Sequence, residues 1–193
     1  MKILSGNKKT KTAVFISGKG SNLKNLIKFS KFKNSPIKID LVISNNKYAK
    51  GLRHASKNKI EKKIFNFNNT KNAEKKSLKI LLKKKIKLIC LAGFMKILSK
   101  NFIKRFKGKI INIHPSLLPK YKGLDTFNRV LKSKEKLTGC TVHFVDEKLD
   151  NGKTIIKKRV WISKYDDPKK LKKKVQTEEY LAYSMAIRKI YCA

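Results

Sequence analysis

Strand-sized apolar runs that alternate with longer helical patterns constrain the fold of this chain more than any other feature. The most apolar run, residues 87–92, is hydrophobic nearly throughout, as a strand buried on both faces of a parallel sheet should be. Further strand-sized runs lie at residues 13–17, 37–44, 63–67 and 109–113. Alternating strands and helices produce parallel strands joined by crossover helices. We therefore predict an α/β domain with an open, mostly parallel, twisted sheet and helices on both faces, as in Rossmann-like folds.

Helical patterns separate these strands, and a paired edge is expected after them. The helices are predicted at about residues 23–29, 49–58, 72–85, 99–106 and from 168 to the end of the chain. The lysine-rich helix 72–85 has an apolar stripe formed by Leu78, Ile80, Leu81 and Leu82. Two late runs, 138–145 and 154–162, alternate apolar and polar residues, which predicts a hairpin or an edge pair of the sheet.

The chain length fits one domain. At 193 residues, and with about 100–200 residues per domain, we predict a single domain over residues 1–193 that begins with a basic, flexible leader at residues 1–11. The longest apolar run, residues 88–95, is far shorter than the roughly 20 residues that span a bilayer. No secretory signal follows the basic N-terminus, so we expect a cytoplasmic location without membrane attachment. Three cysteines without Cys-x-x-Cys spacing favour reduced thiols.

The formal net charge of +38, from 50 Lys and Arg against 12 Asp and Glu, would ordinarily indicate a nucleic-acid partner. Only five of these cations are Arg, which is the usual residue for bidentate phosphate and base contacts. The lysines are spread over nearly all predicted helices and loops, without interleaved aromatic residues for base stacking. We therefore favour a solvated surface shaped by compositional drift, with no specific nucleic-acid partner. A basic nucleic-acid binder is the alternative from a different functional class.

Ligands bind open parallel sheets at the carboxyl ends of the strands, and three segments lie there. The first is the turn 17–22, with the sequence Ser-Gly-Lys-Gly-Ser-Asn, between the first strand and its helix. Its glycines let the backbone approach an anion, toward which the free N–H groups of the new helix point. The turn matches neither a P-loop nor a dinucleotide fingerprint. On this segment alone, a phosphate cradle and a merely tight turn are both open.

The second segment, residues 112–115, ends the fifth strand. Because side chains alternate along a strand, Asn112 and His114 face the same side, where an amide donor and an imidazole can address one substrate carbonyl. A lone histidine is nevertheless more often structural. The third candidate is Asp150, in the turn 146–152. Its carboxylate can orient the His114 ring and raise its pKa, or it can simply form a turn before Asn-Gly.

The remaining histidines are set aside at this point. His143 follows Cys140 by three residues, and strand alternation puts the two side chains on opposite faces, which excludes a Cys–His nucleophile pair. His54 is expected at the surface of a helix. Because histidine, cysteine and acidic residues do not cluster at ligand spacing, we expect no metal.

Four motifs together resemble those of the phosphoribosylglycinamide formyltransferase family; they lie at residues 16–23, 91–98, 112–123 and 142–145 with 149–152. The similarity runs in order from about Thr12 to about Ile190. The resemblance implies the α/β formyltransferase fold and transfer of the formyl group of 10-formyltetrahydrofolate, a co-substrate, to the amine of glycinamide ribonucleotide in purine (IMP) biosynthesis. It implies no metal. The expected partners are these two small molecules, bound by a monomer or weak homodimer.

The resemblance also assigns catalytic and substrate-binding roles. The three residues that match the family's catalytic residues are Asn112, His114 and Asp150. The residues that match its substrate-binding positions are Gly20, Ser21 and Asn22 for the phosphate and Glu179 for the glycinamide end. In the implied direct acyl transfer, Asn112 and His114 stabilise the charge on the formyl oxygen. Asp150, with a bound water, relays the proton.

The folate pocket is assigned in the same way, to Lys71, Met95, Lys96, Ile97 and Leu98, together with Asn112. Lys96 stands where the family commonly has Arg, and Lys71 stands in for an Arg between the third strand and its helix. Asp125 receives no role. Two related enzyme classes are alternatives: methionyl-tRNA formyltransferase has an added C-terminal domain, and formyltetrahydrofolate hydrolase an added N-terminal one. We expect neither addition in a chain of this length.

Overall fold

The computed structural model describes residues 9–192. Its strands are β1 (Thr10–Ile16), β2 (Ile37–Ser44), β3 (Glu61–Ile64), β4 (Leu88–Leu91), β5 (Lys109–His114), β6 (Leu137–Phe144) and β7 (Thr154–Trp161). They form one sheet in the order β3-β2-β1-β4-β5-β6-β7. Strands β1 to β5 pair in parallel, and β6 and β7 add an antiparallel edge. The predicted mostly parallel sheet with a late edge pair is confirmed.

The helices are α1 (Ser21–Ser30), α2 (Leu52–Lys57), α3 (Thr70–Lys83), α4 (Lys100–Arg105), α5 (Thr126–Lys132) and α6 (Pro168–Tyr191). Buried side chains of α1, α2, α5 and α6 form one apolar core with one face of the sheet. Those of α3 and α4 form a second core with the other face. The predicted helices on both faces are therefore present. Ser99 caps α4, since its hydroxyl accepts from the Phe102 N–H at 3.1 Å.

The C-terminal helix α6 is anchored to the sheet by a buried tyrosine. The Tyr183 ring is fully buried, and its hydroxyl lies 2.9 Å from the carbonyl oxygen of Leu91 and 3.3 Å from that of Ile111. Burial raises the pKa of Tyr183 well above its ordinary value, so the hydroxyl stays a donor. This contact fixes α6 over the carboxyl ends of β4 and β5. Glu179, one helical turn earlier, is thereby held near α1.

The predicted boundaries of two strands, β1 and β3, are wrong. Strand β1 begins at Thr10, inside the expected leader, because residues 10–12 pair with β2; residues 1–8 of that leader lie outside the described residues. Strand β3 covers residues 61–64 rather than 63–67. All four β3 side chains are exposed at the edge of the sheet, so the apolar pattern used for the prediction could not locate this strand.

Helix α3 buries its predicted apolar stripe except for Leu82, since Leu81 is buried and Leu78 and Ile80 pack against the second core. Its buried residues are Ala73, Glu74, Ser77 and Leu81, whereas Leu82 is 79% exposed. Residues three and four apart share a helical face, and Leu82 is turned about 100° away from Leu81. Helix α5 was not predicted at all. In the part of the chain that the structure describes, no helix is both long and apolar enough to cross a membrane.

We predict that Tyr183→Phe lowers the free energy of unfolding by about 1–2 kcal/mol, because two buried carbonyl groups lose a hydrogen-bond donor. Denaturant unfolding measures the change. Tyr165→Phe, at a tyrosine that is 72% exposed, is the matched control and should change stability by less than about 0.5 kcal/mol. Equal effects of the two substitutions would show that the Tyr183 hydroxyl does not anchor α6.

Candidate active site

The strand order reverses between β1 and β4, and this is where an open α/β sheet forms a ligand crevice. The turns that follow these two strands are hydrogen-bonded to each other. Ser17 donates its backbone N–H to the Gly93 carbonyl at 3.0 Å, and its hydroxyl accepts the N–H of Met95 at 2.7 Å. The predicted phosphate turn and the predicted folate segment thus lie side by side where this crevice is expected.

The phosphate turn requires glycine at its last position before α1. Gly20 has a φ of 72°, in the left-handed region, and a Cβ atom there would lie 2.5 Å from the Cα of Gly51. Only glycine satisfies both restrictions at low cost. His54, expected at the surface, is partly buried beside this turn.

Asn22 and Glu179 meet behind the phosphate turn, although 157 positions separate them in sequence. The Asn22 amide donates to Glu179 Oε2 at 2.8 Å, and both side chains are buried. The amide oxygen of Asn22 has no partner among the described residues. Beside this pair, Gln176 donates its amide to the Ser21 hydroxyl at 2.7 Å. Our sequence interpretation missed Gln176, because only the packing of α6 against α1 brings it here.

The segment after β4 offers an apolar surface at the opposite wall of the crevice. Met95 and Ile97 are 61% and 70% exposed, Lys96 is exposed, and Leu98 is buried. The Phe94 ring beneath them packs edge-on against two other phenylalanine rings, those of Phe15 and Phe67. This aromatic packing fixes the backbone of the segment. Exposed apolar side chains on a fixed backbone suit a flat heteroaromatic ligand.

Lys71 lies in the first turn of α3, with an exposed side chain. One turn later, Glu74 is buried and accepts the N–H of Ser99 at 2.7 Å and its hydroxyl at 2.5 Å. Because Ser99 directly follows the folate segment, this contact brings the start of α3 toward that segment. The assignment of Lys71 to the folate pocket stays a prediction.

Asn112, His114 and Asp150 form one cluster at the carboxyl end of β5. Asp150 Oδ2 lies 3.3 Å from His114 Nδ1, and Asp150 Oδ1 accepts from the Asn112 amide at 3.4 Å. Oδ2 also accepts the N–H of Gly123 at 2.9 Å. Both His114 and Asp150 are buried. The predicted common face of Asn112 and His114 is thus confirmed, and the turn 146–152 brings Asp150 to that face.

The imidazole of His114 is oriented by the loop that follows β5. Its Nε2 lies 2.7 Å from the carbonyl oxygen of Tyr121, and a carbonyl only accepts, so Nε2 carries a proton. Nδ1 then faces the Asp150 carboxylate with a lone pair unless a second proton lies between them. An attractive Nδ1–Oδ2 contact therefore requires a proton that the two side chains share.

Burial and hydrogen bonding oppose each other in this pair. Burial lowers the pKa of His114 and outweighs the Tyr121 carbonyl and the Asp150 carboxylate, which both raise it. For Asp150, burial acts to raise the pKa, but His143, the Gly123 N–H and His114 together hold it below its usual range. A carboxylate at the centre of the cluster is therefore ionised at neutral pH.

His143, which we set aside from the sequence, belongs to this cluster. It is directly opposite Asn112 in the antiparallel pairing of β5 and β6, and 2% of its surface is exposed. Its Nε2 lies 3.2 Å from the Asn112 amide nitrogen and 3.7 Å from Asp150 Oδ1. Cys140 lies in the apolar core on the other face of β6, so the exclusion of a Cys–His pair is consistent with the structure.

No group of three or more His, Cys, Asp or Glu residues within residues 9–192 could hold a metal ion. The cluster contains hydrogen-bond donors, one carboxylate and two imidazoles, beside a turn of free N–H groups and an apolar wall. Such a site can polarise a carbonyl group, bind a phosphate and hold a planar ring system.

Comparison with known proteins identifies the family of the chain. The model of the family described as formyl transferase matches residues 10–187. The chain belongs to the formyl transferase family. A phosphoribosylglycinamide formyltransferase of Haemophilus influenzae is 40% identical to this formyltransferase over 181 residues, which are 92% of this chain and 85% of that protein.

Two further comparisons extend the likeness. The trifunctional purine biosynthetic protein adenosine-3 of Homo sapiens is 39% identical to this formyltransferase over 184 residues, which are 94% of this chain and 18% of the human protein. The crystal structure of phosphoribosylglycinamide formyltransferase from Brucella melitensis is similar with a TM-score of 0.91 and 36% identity. That likeness covers 96% of this chain and 97% of the other. The formyltransferase fold is thus established for this chain.

Glu179 gives a prediction about stability in this formyltransferase. Burial raises the pKa of Glu179 above its ordinary value of 4.5, and the hydrogen bond from Asn22 offsets this only in part. The unfolded chain therefore releases the proton at a lower pH than the folded chain, so stability falls as the pH rises from about 4.5 through the raised pKa.

We predict that Glu179→Gln raises the free energy of unfolding at pH 7, because glutamine accepts the same Asn22 amide without a buried charge. Denaturant unfolding at several pH values measures the effect. The advantage of the variant should shrink toward zero as the pH falls below 4.5. A variant that is less stable than the wild type at pH 7 would contradict the pKa direction.

Proposed function

We propose that this formyltransferase transfers the formyl group of 10-formyltetrahydrofolate to the amine of glycinamide ribonucleotide, a step of purine biosynthesis, and that Asn112, His114 and Asp150 carry the reaction. The observation that supports these roles best is the cluster itself. An amide, an imidazole and a carboxylate lie within 3.4 Å contacts of one another at the carboxyl edge of the sheet. The phosphate turn and the apolar wall flank it.

The reaction is a direct acyl transfer. The amine nitrogen of the substrate attacks the formyl carbon, and the electron pair of the C=O double bond moves onto the formyl oxygen. When that pair returns, the bond from the formyl carbon to folate nitrogen N10 breaks. The attacking nitrogen loses one proton and N10 gains one, so the step needs no oxidant and no covalent enzyme intermediate.

Asn112 donates to the formyl oxygen as negative charge develops there. One N–H of its amide points to His143 at 3.2 Å, and the other makes only the long 3.4 Å contact to Asp150. This second N–H is weakly bound, so the formyl oxygen can replace the Asp150 oxygen as its acceptor. One such donor contributes about 2.7–4 kcal/mol to oxyanion stabilisation in other enzymes.

His114 and Asp150 transfer the proton from the attacking amine to N10. Both nitrogens of His114 are engaged in this structure, by Tyr121 and by Asp150, so its contribution to the oxyanion is electrostatic rather than a direct hydrogen bond. Asp150 lies between the two β5 side chains, and its carboxylate accepts the proton of the attacking amine through a bound water. That proton is then shared between Asp150 Oδ2 and the lone pair of His114 Nδ1, 3.3 Å apart, and from there it is available for N10.

We place the substrate phosphate on the N–H groups of Gly20, Ser21 and Asn22. The unpartnered oxygen of Asn22 and the carboxylate of Glu179 face the same region, where they suit the glycinamide amide and amine. Gln176, which donates to Ser21, adds a side-chain donor near the phosphate. We place the folate against Met95, Lys96, Ile97 and Leu98, with Lys71 near its outer end. We further propose a cytoplasmic enzyme that is a monomer or weak homodimer, without a nucleic-acid partner.

We predict that Asp150→Asn lowers kcat by roughly 10²–10⁴-fold, because an amide cannot take the proton of the attacking nitrogen. The KM values for both substrates should change little, since Asn112 and the phosphate turn stay in place. Absorbance-monitored consumption of 10-formyltetrahydrofolate, with and without glycinamide ribonucleotide, measures this turnover.

Asp146→Asn is the matched control, because that carboxylate lies in the same turn and only accepts the N–H of Lys148. It should retain wild-type turnover. Unchanged turnover in Asp150→Asn would remove Asp150 from the mechanism. Folate consumption by the wild type without glycinamide ribonucleotide would instead indicate a hydrolase.

A further inference from the structure

The tautomer of His143 is set by its own backbone. Its Nδ1 lies 2.7 Å from the carbonyl oxygen of the next residue, Phe144, which accepts and cannot donate. Nδ1 therefore carries the proton, and in the neutral ring Nε2 presents a lone pair. Nε2 lies 3.2 Å from the Asn112 amide nitrogen, within hydrogen-bond distance, and 3.7 Å from Asp150 Oδ1, beyond that distance, so the amide is the group that its lone pair faces. The backbone of β6 thus makes His143 an acceptor toward β5.

An acceptor at this position decides which end of the Asn112 side chain faces the cluster. An amide can rotate by 180° and exchange its NH₂ group for its oxygen. With the oxygen toward His143, two lone pairs would face each other in a site where His143 is buried and Asn112 is partly buried. The NH₂ end is therefore held toward His143 and Asp150, the same end that the reaction needs as a donor.

We propose that His143 is a positioning residue: it holds the Asn112 amide with its NH₂ group toward the formyl oxygen and does not itself touch the substrate. This inference rests on the proposed function. It accounts for a fully buried imidazole opposite Asn112 that the acyl-transfer steps do not otherwise use. Removal of the lone pair frees the amide to turn its oxygen toward the developing oxyanion, where it would repel the charge.

His143→Leu removes the acceptor at similar side-chain volume. We expect kcat to fall by about 10²–10³-fold, as for loss of an oxyanion donor, with KM values within about threefold of the wild type. His143→Gln keeps an acceptor oxygen in reach of Asn112 and should recover kcat to within about tenfold of the wild type. Thermal unfolding of both variants separates this pattern from a general loss of folded protein.

A double-mutant cycle with Asn112→Ala tests whether His143 acts through Asn112. In the Asn112→Ala background, His143→Leu should cost less than about threefold in kcat. A further loss of 10²-fold or more there, or an effect of His143→Leu on KM alone, would overturn the proposal. Failure of His143→Gln to exceed His143→Leu in activity would do the same.

The tautomer of His143 can be measured without an activity assay. The chain has three histidines, so their ¹⁵N NMR signals can be assigned by substitution. We expect the neutral Nδ1–H form for His143 in the wild type. An Nε2–H form in an enzyme that transfers formyl groups would overturn only the positioning role. Absence of transfer by the wild type would overturn the proposed function and this role together.

Discussion

A single buried carboxylate, that of Asp150, joins three separate segments at the carboxyl edge of the sheet. Its two oxygens contact Asn112 and His114 on β5 and the N–H of Gly123 in the loop after β5. Burial of a charged group costs free energy unless hydrogen bonds satisfy its lone pairs. The buried carboxylate therefore fixes the positions of these partners. The fold supplies the position: β6 runs antiparallel to β5, and the turn after β6 returns the chain to the end of β5. The proposed catalysis and the local stability therefore depend on the same set of contacts.

The surface of the protein is strongly basic, yet its few acids are not distributed at random. The sequence has 12 acidic residues, and each accepts a hydrogen bond or pairs with a lysine or histidine. Some join elements, as Glu74 does between α3 and Ser99, and others cap helices, as Asp167 does at α6. The scattered lysines themselves give no sign of a built polyanion site, and Coulomb repulsion between them is screened by salt at the exposed surface.

Much of the fold followed from local patterns, and the errors have local causes. Period-two and buried runs predicted six strands well, whereas β3 failed because an exposed edge strand has no buried face to mark it. The site could be predicted from the sequence where its residues lie close together in the chain, as Asn112 and His114 do. His143 was missed because its partner is set by the register of β6 against β5, while sequence reasoning had compared it only with nearby Cys140. The contact between Asn22 and Glu179 likewise depends on helix packing that no short motif records. Resemblance to a family assigned Glu179, but only the structure supplied its partner.

The central claim is that one crevice holds both substrates with the formyl carbon against the β5 cluster. A crystal structure with glycinamide ribonucleotide and a folate analogue that cannot transfer its formyl group tests it most directly. We predict the phosphate on the N–H groups of residues 20–22 and the formyl oxygen about 3 Å from the Asn112 amide nitrogen, in place of Asp150 Oδ1. The His114–Asp150 contact should persist beside the substrate amine. A formyl group bound away from Asn112, or a phosphate bound elsewhere than at this turn, would contradict the account.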